Sequence, residues 1–138
     1  MNVEKADPDT KDRSAKSALS VAVSTDNDEI IKLLIKAGAD IEYDGYFNKT
    51  PLMQAASYDK YISAQTLINA GANVNYKNRY GETALVKAIT KKNLAVIELL
   101  VENGADTKIK YKKMSLSEYA ESINAQNMII EYLKDAEK

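Results

Sequence analysis

The strongest constraint in the sequence is a period of 33 residues carried by two independent landmarks. Ala37-Gly38-Ala39-Asp40, Ala70-Gly71-Ala72-Asn73 and Asn103-Gly104-Ala105-Asp106 form one series. Ser17-Ala18-Leu19, Thr50-Pro51-Leu52 and Thr83-Ala84-Leu85 form the other, each followed three residues later by Ala22, Ala55 or Ala88. A chain built this way folds as stacked copies of one unit, held by contacts between neighbours rather than by one central core.

Between the landmarks the apolar residues have helical spacing: Ile30, Ile31, Leu33 and Leu34 in the first unit, Val96, Ile97, Leu99 and Leu100 in the third. Each unit therefore reads as a short helix opening at Ser17, Thr50 or Thr83, a turn, and a second helix stopped at Gly38, Gly71 or Gly104. Ser and Thr hydroxyls cap the free backbone donors of a first turn, and glycine takes the left-handed conformation that ends a helix. Pro51 suits a first turn, where its missing N–H costs nothing.

Thr50-Pro51-Leu52-x-x-Ala55 and Ala70-Gly71-Ala72-Asn73-Val74-Asn75 resemble the ankyrin repeat. The resemblance covers almost the whole chain and implies an all-α repeat solenoid of about four repeats, with helix pairs stacked and hairpin loops projecting at right angles. Residues 1–13 read as a polar leader. Residues 14–138 read as a single domain with repeats at about 17–49, 50–82, 83–113 and 114–138. The fourth repeat is irregular: Met114-Ser115-Leu116 opens it after a loop two residues short, and two extra residues around 123–126 restore phase at Ile129, Ile130, Tyr132 and Leu133. Glu131, Lys134, Asp135 and Glu137 suit a terminal unit that faces water.

Two departures from the family pattern carry expectations. Ser20, Met53, Val86 and Ser117 stand where ankyrin repeats usually carry His, which predicts looser hairpins. Ser63 and Thr66 stand where the first unit has Ile30 and Leu33, which predicts a thin apolar layer and a weak second repeat.

Composition removes most catalytic chemistry. The chain has no His and no Cys, so it lacks an imidazole base, a thiolate nucleophile, a disulfide and the usual zinc or iron-sulfur ligands. The five glycines are spent on helix stops and loops, leaving no phosphate-cradling motif. Carboxylate pairs such as Asp26 with Asp28 and Asp40 with Glu42 sit at turns and read as solvated surface. Asp7, Asp9 and Asp12 lack the glycine and distal Glu of a calcium loop. No catalytic residue, cofactor or metal site is expected, and the chain reads as no enzyme. No apolar stretch reaches the roughly 18 residues of a membrane span. The polar start carries no secretory segment, so a cytoplasmic location is expected, although a processed exported chain would look the same.

In ankyrin proteins, partners dock on the hairpin tips and the inner face of the first helices. Carried over by position, this marks Tyr46, Phe47, Lys77, Arg79, Tyr80, Lys110 and Tyr111 in the loops, with Tyr58 and Lys91 at helix-one ends. Tyr and Arg are frequent interface anchors. Residues 108–113 hold four lysines and no acid, which suits a protein partner with an acidic surface. The near-neutral total, 19 basic against 20 acidic residues, argues against nucleic acid. A monomer that binds a partner protein is the leading expectation. The alternatives are a structural spacer within a longer array, or an inhibitor or immunity protein for an enzyme.

Overall fold

The computed structural model describes residues 8–11, 17–45 and 47–138. Tyr46 and most of the expected leader, residues 1–7 and 12–13, lie outside the described residues, as do Asp7 and Asp12. The described chain contains eight α-helices and no strand: α1 (Ala18–Ser24), α2 (Asp28–Lys36), α3 (Pro51–Ser57), α4 (Tyr61–Asn69), α5 (Ala84–Thr90), α6 (Leu94–Glu102), α7 (Leu116–Ser122) and α8 (Asn127–Ala136). They pair within each repeat, and the pairs stack so that α1, α3, α5 and α7 form one layer and α2, α4, α6 and α8 the other. The expected all-α repeat solenoid is the fold observed.

The local signals act as the sequence implies. Ser17, Thr50 and Thr83 hydroxyls accept from Ser20, Met53 and Val86 N–H, each closing a first turn. Such a cap is worth about 1 kcal/mol. Gly38, Gly71 and Gly104 have φ of 95°, 95° and 93°, the left-handed geometry that stops α2, α4 and α6. The core runs along the stack through Leu19, Ile31, Leu52, Leu67, Leu85, Ile97, Leu100, Leu116 and Leu133, all fully buried.

The fourth repeat differs in detail from expectation. Its first helix is capped by Ser115 rather than opened at Met114, because Ser115 and Glu118 form a reciprocal capping box while Met114 pairs with Tyr111 across a tight turn. The cap-to-cap interval is thus one residue short, not two. Ala125 is buried in the turn that restores register before α8.

The inter-repeat loops are turns joined by a ladder rather than paired strands. Asp40, Asn73 and Asp106 each accept the N–H two residues ahead through Oδ1, at 2.9–3.0 Å. Their own N–H groups donate backward to Asp9, Glu42 and Asn75, at 2.7, 2.9 and 2.7 Å. Each rung satisfies a loop donor with the preceding repeat's side chain, so the loops are tied along the stack. The missing family His is replaced differently in each unit. Met53 and Val86 are simply buried and Ser20 bonds Ser17. In the fourth unit the Ser115 cap puts Glu118, not the expected Ser117, in this register, where its carboxylate accepts the Ser115 N–H. Ser117 donates its N–H and hydroxyl to Glu137 at 2.7 Å each.

Two sequence expectations require correction. Asp26 and Asp28 are not idle surface carboxylates: Asp26 accepts the Ser63 N–H at 2.9 Å and its hydroxyl at 2.5 Å, and Asp28 accepts the Thr66 hydroxyl. The Thr66 hydroxyl bond, with help from Lys32, holds the Asp28 carboxyl pKa below its usual range. Glu137 does not simply face water, because it closes onto Ser117. The apolar layer at Ser63 and Thr66 is thin as expected, but both side chains are buried and fully bonded.

Candidate functional site

The C-terminal ends of α1, α3 and α5 line up on one side of the stack. Each ends in a hydroxyl residue, Ser24, Ser57 or Thr90, followed by a cap residue, Thr25, Tyr58 or Lys91. The chain then turns sharply through Asp26, Asp59 or Lys92, all with positive φ between 55° and 60°. Asp is among the residues that tolerate this geometry best.

These ends border a groove of about 480 Å³ lined by Ser24, Ser57, Tyr58, Asp59, Lys60 and Lys91. Its floor has one irregularity. Ser24 Oγ donates to the Ser20 carbonyl at 2.9 Å and accepts from the Gln54 amide. Thr90 Oγ1 donates to the Val86 carbonyl at 2.8 Å and shares a hydrogen bond with the Tyr119 hydroxyl. Ser57, in the same register, is 4% exposed, and its hydroxyl has no partner. A buried polar atom without a partner is uncommon in a folded protein and costs about 1–3 kcal/mol.

The rim is basic. Lys49 Nζ lies 5.0 Å from the centre of the Tyr58 ring, within cation–π range. Burial lowers the Lys49 pKa, the neighbouring Lys87 and Lys91 lower it further, and Glu82 opposes them. Lys87 is neutralised by Glu82 at 2.6 Å, and Asp59 accepts the Asn93 side-chain amide. Among the described residues, no carboxylate forms an ion pair with Lys49, Lys60 or Lys91. The groove thus joins an aromatic face, three lysines, the Asp59 carboxylate and a buried, unpartnered hydroxyl.

Of the sequence-marked residues, Tyr58 and Lys91 line this groove. Phe47, 68% exposed with φ 54°, and Tyr80, 61% exposed, project from the first and second inter-repeat loops. The Tyr80 hydroxyl accepts from the Asn48 amide at 3.3 Å, tying the two loops together. Lys77 and Arg79 are exposed on either side of buried Asn78. Asn78 holds the loop rigid: its Oδ1 accepts from Tyr80 and Glu82 N–H, and its amide donates to the Asn48 carbonyl. Lys110 is exposed farther along the stack.

Tyr111 sits differently from the tip residue that the sequence suggested. It is half-buried, packs edge-on against Tyr119 with ring centres 4.9 Å apart, and donates to Glu82 at 3.4 Å. Burial beside Glu82 raises its pKa. Glu82 itself is pushed up by burial, but hydrogen bonds from Lys87, Asn78 and Tyr111 outweigh that and leave it lowered. Sequence reasoning passed over Lys60. Its signal was available, since Asn27 and Asn93 occupy the same register and cap their helices, whereas Lys60 cannot.

Among the described residues there is no group of three His, Cys, Asp or Glu side chains placed to hold a metal ion, and no helix long and apolar enough to cross a membrane. No curated protein matches the chain. A family model described as ankyrin repeats (3 copies) matches residues 1–78 and again residues 43–111. The α7–α8 pair lies beyond the matched residues, yet it continues the same two layers. With residues 1–111 matched and the stacked helix pairs in place, the chain belongs to the ankyrin-repeat family, whose repeats generally serve as protein–protein interaction modules and are typically non-enzymatic.

Proposed function

We propose that the protein binds a partner protein through the groove at the ends of α1, α3 and α5 and the loop residues beside it, and that the docked segment is acidic. The observation that carries this reading is the Ser57 hydroxyl, buried without a partner on the floor of a groove rimmed by Lys49, Lys60 and Lys91. A carboxylate in the groove would neutralise the lysines, and rotation of the buried Ser57 side chain about χ1 would turn its unpartnered hydroxyl to donate to that carboxylate. Charge-assisted bonds of that kind are about twice as strong as neutral ones. Tyr58 supplies apolar contact for the rest of the segment, and Phe47 and Tyr80 extend the surface along the loops. Lys77, Arg79 and Lys110 add a positive field that would speed encounter without fixing the pose.

The role is binding alone, in a monomer, without cofactor, nucleic acid or membrane. The test uses a fluorescent peptide of about ten residues rich in Glu and Tyr, with its Lys-rich counterpart as control. The acidic peptide should bind, and Lys49→Glu combined with Lys91→Glu should abolish binding without altering the helical circular-dichroism signal. Equal binding of both peptides, or no effect of the charge reversal, would contradict the proposal.

A further inference from the structure

We infer that the exposed face of α1 and α2 is a stacking surface for one further ankyrin-type helix pair, seated ahead of α1 as α1–α2 sit ahead of α3–α4. Three apolar side chains lie open there: Val21 at 47%, Ile30 at 46% and Leu33 at 64% exposure. Their registers are known from the later repeats. Val21 corresponds to Gln54, which is buried and donates to the Ser20 carbonyl of the preceding repeat. Ile30 and Leu33 correspond to Ser63 and Thr66, which are buried and bonded to Asp26 and Asp28 of the preceding repeat. One repeat further on, the registers of Ile30 and Leu33 hold Val96 and Leu99, buried where α6 packs on α4, and the register of Val21 holds Lys87, half-buried and paired with Glu82. The registers of Ile30 and Leu33 therefore face the preceding unit in both later repeats, that of Val21 does so through Gln54, and in α1–α2 all three positions are apolar and open.

A second observation concerns the connection. Asp9 accepts the Asp40 N–H in the rung that Glu42 and Asn75 make later in the chain. Lys11 lies 4.2 Å above the Tyr43 ring, in the register of Asp44, which accepts the Tyr76 hydroxyl. Residues 8–11 thus occupy the place of an inter-repeat loop, with the contacts such a loop makes to the repeat after it.

The opposite end of the stack does not supply the complementary surface. Lys134 takes the register of Ile35, Ile68 and Val101 and pairs with Glu121 at 3.2 Å, so that end is charged rather than apolar. Head-to-tail stacking of copies would bury that ion pair against Ile30 and Leu33, at a desolvation cost that an apolar face cannot return.

The chain has no cysteine, which allows a direct test. Leu33→Cys is made in the 138-residue chain and in a chain extended by a copy of residues 67–99 joined ahead of Met1, which preserves the repeat register. Met128→Cys, at a site 71% exposed on the last helix, serves as control in both. Alkylation of Leu33→Cys should slow by about ten-fold or more in the extended chain, as expected for a thiol reached only through local opening. The control rate should not change, and helical ellipticity should rise with the added residues. Equal Leu33→Cys rates in the two chains would overturn the inference, whether or not the added residues become helical. So would sedimentation of the 138-residue chain as a dimer that Leu33→Glu dissociates, because the face would then receive a second copy.

Discussion

The Ser63 hydroxyl donates to the Asp26 carboxylate at 2.5 Å across the boundary between the first two repeats, and the Ser63 N–H donates to the same oxygen at 2.9 Å. Because Lys60 offers α4 no side-chain cap, Asp26 of the preceding repeat does that work. A polar bridge takes the place of the apolar contact made at this register elsewhere. Ser63→Ala should therefore destabilise the fold by about 1–3 kcal/mol, since it leaves part of the Asp26 demand unmet in a partly buried site. Urea unfolding measures this, and Asp26→Asn, which retains an acceptor for the N–H, should cost less than Asp26→Ala.

Glu82 is a hub: it accepts from Asn78 at 3.0 Å, Lys87 at 2.6 Å and Tyr111 at 3.4 Å. Replacing it with Gln leaves Lys87 half-paired in a site where its side chain is 16% exposed, at a cost of about 1–3 kcal/mol near neutrality. Its folded pKa is lowered, so its contribution is full above the ordinary carboxylate pKa and is lost as pH falls through the folded value. The stability gap between the native chain and Glu82→Gln should accordingly narrow in acid.

Glu42 runs the other way. Burial raises its pKa, against the Asn73 N–H that its Oε2 accepts, and its buried Oε1 has no partner. A raised carboxyl favours the folded state most at acid pH and loses that contribution as pH rises through the folded value. Glu42→Gln should raise the melting temperature near neutrality relative to the native chain, with the gain shrinking in acid. A loss at neutral pH would contradict this assignment.

Glu137 closes the last repeat through its two bonds to Ser117. Glu137→Ala should cost about 1–2 kcal/mol, because the buried Ser117 hydroxyl and N–H lose their acceptor. Amide exchange should quicken first in α7 and α8, while α3 and α5 keep their protection.

Much of the fold was legible in the sequence because its signals are local. A hydroxyl cap, a left-handed glycine and an apolar stripe each act within one turn of helix, and a period makes them agree. The Asp26–Ser63 and Glu42–Asn73 bonds were not legible, because they join residues a full repeat apart and their side chains look like ordinary turn polarity. Tyr111 was read as a tip residue because position in a loop does not reveal that Tyr119 and Glu82 receive its ring and hydroxyl. The candidate groove was half legible: Tyr58 and Lys91 follow from repeat register, while the unpartnered Ser57 hydroxyl emerges only beside its bonded equivalents Ser24 and Thr90.

The most direct measurement of the central claim is a nitrogen–proton NMR titration of the native chain with the Glu- and Tyr-rich peptide, followed at each backbone amide. The account predicts that the largest shifts cluster at Ser24, Ser57, Tyr58, Lys60 and Lys91, with smaller ones at Phe47 and Tyr80, and that added salt weakens them. Shifts centred instead on the α2–α4 side, at Lys32, Ile35 and Asn69, or no saturable shift at all, would contradict it.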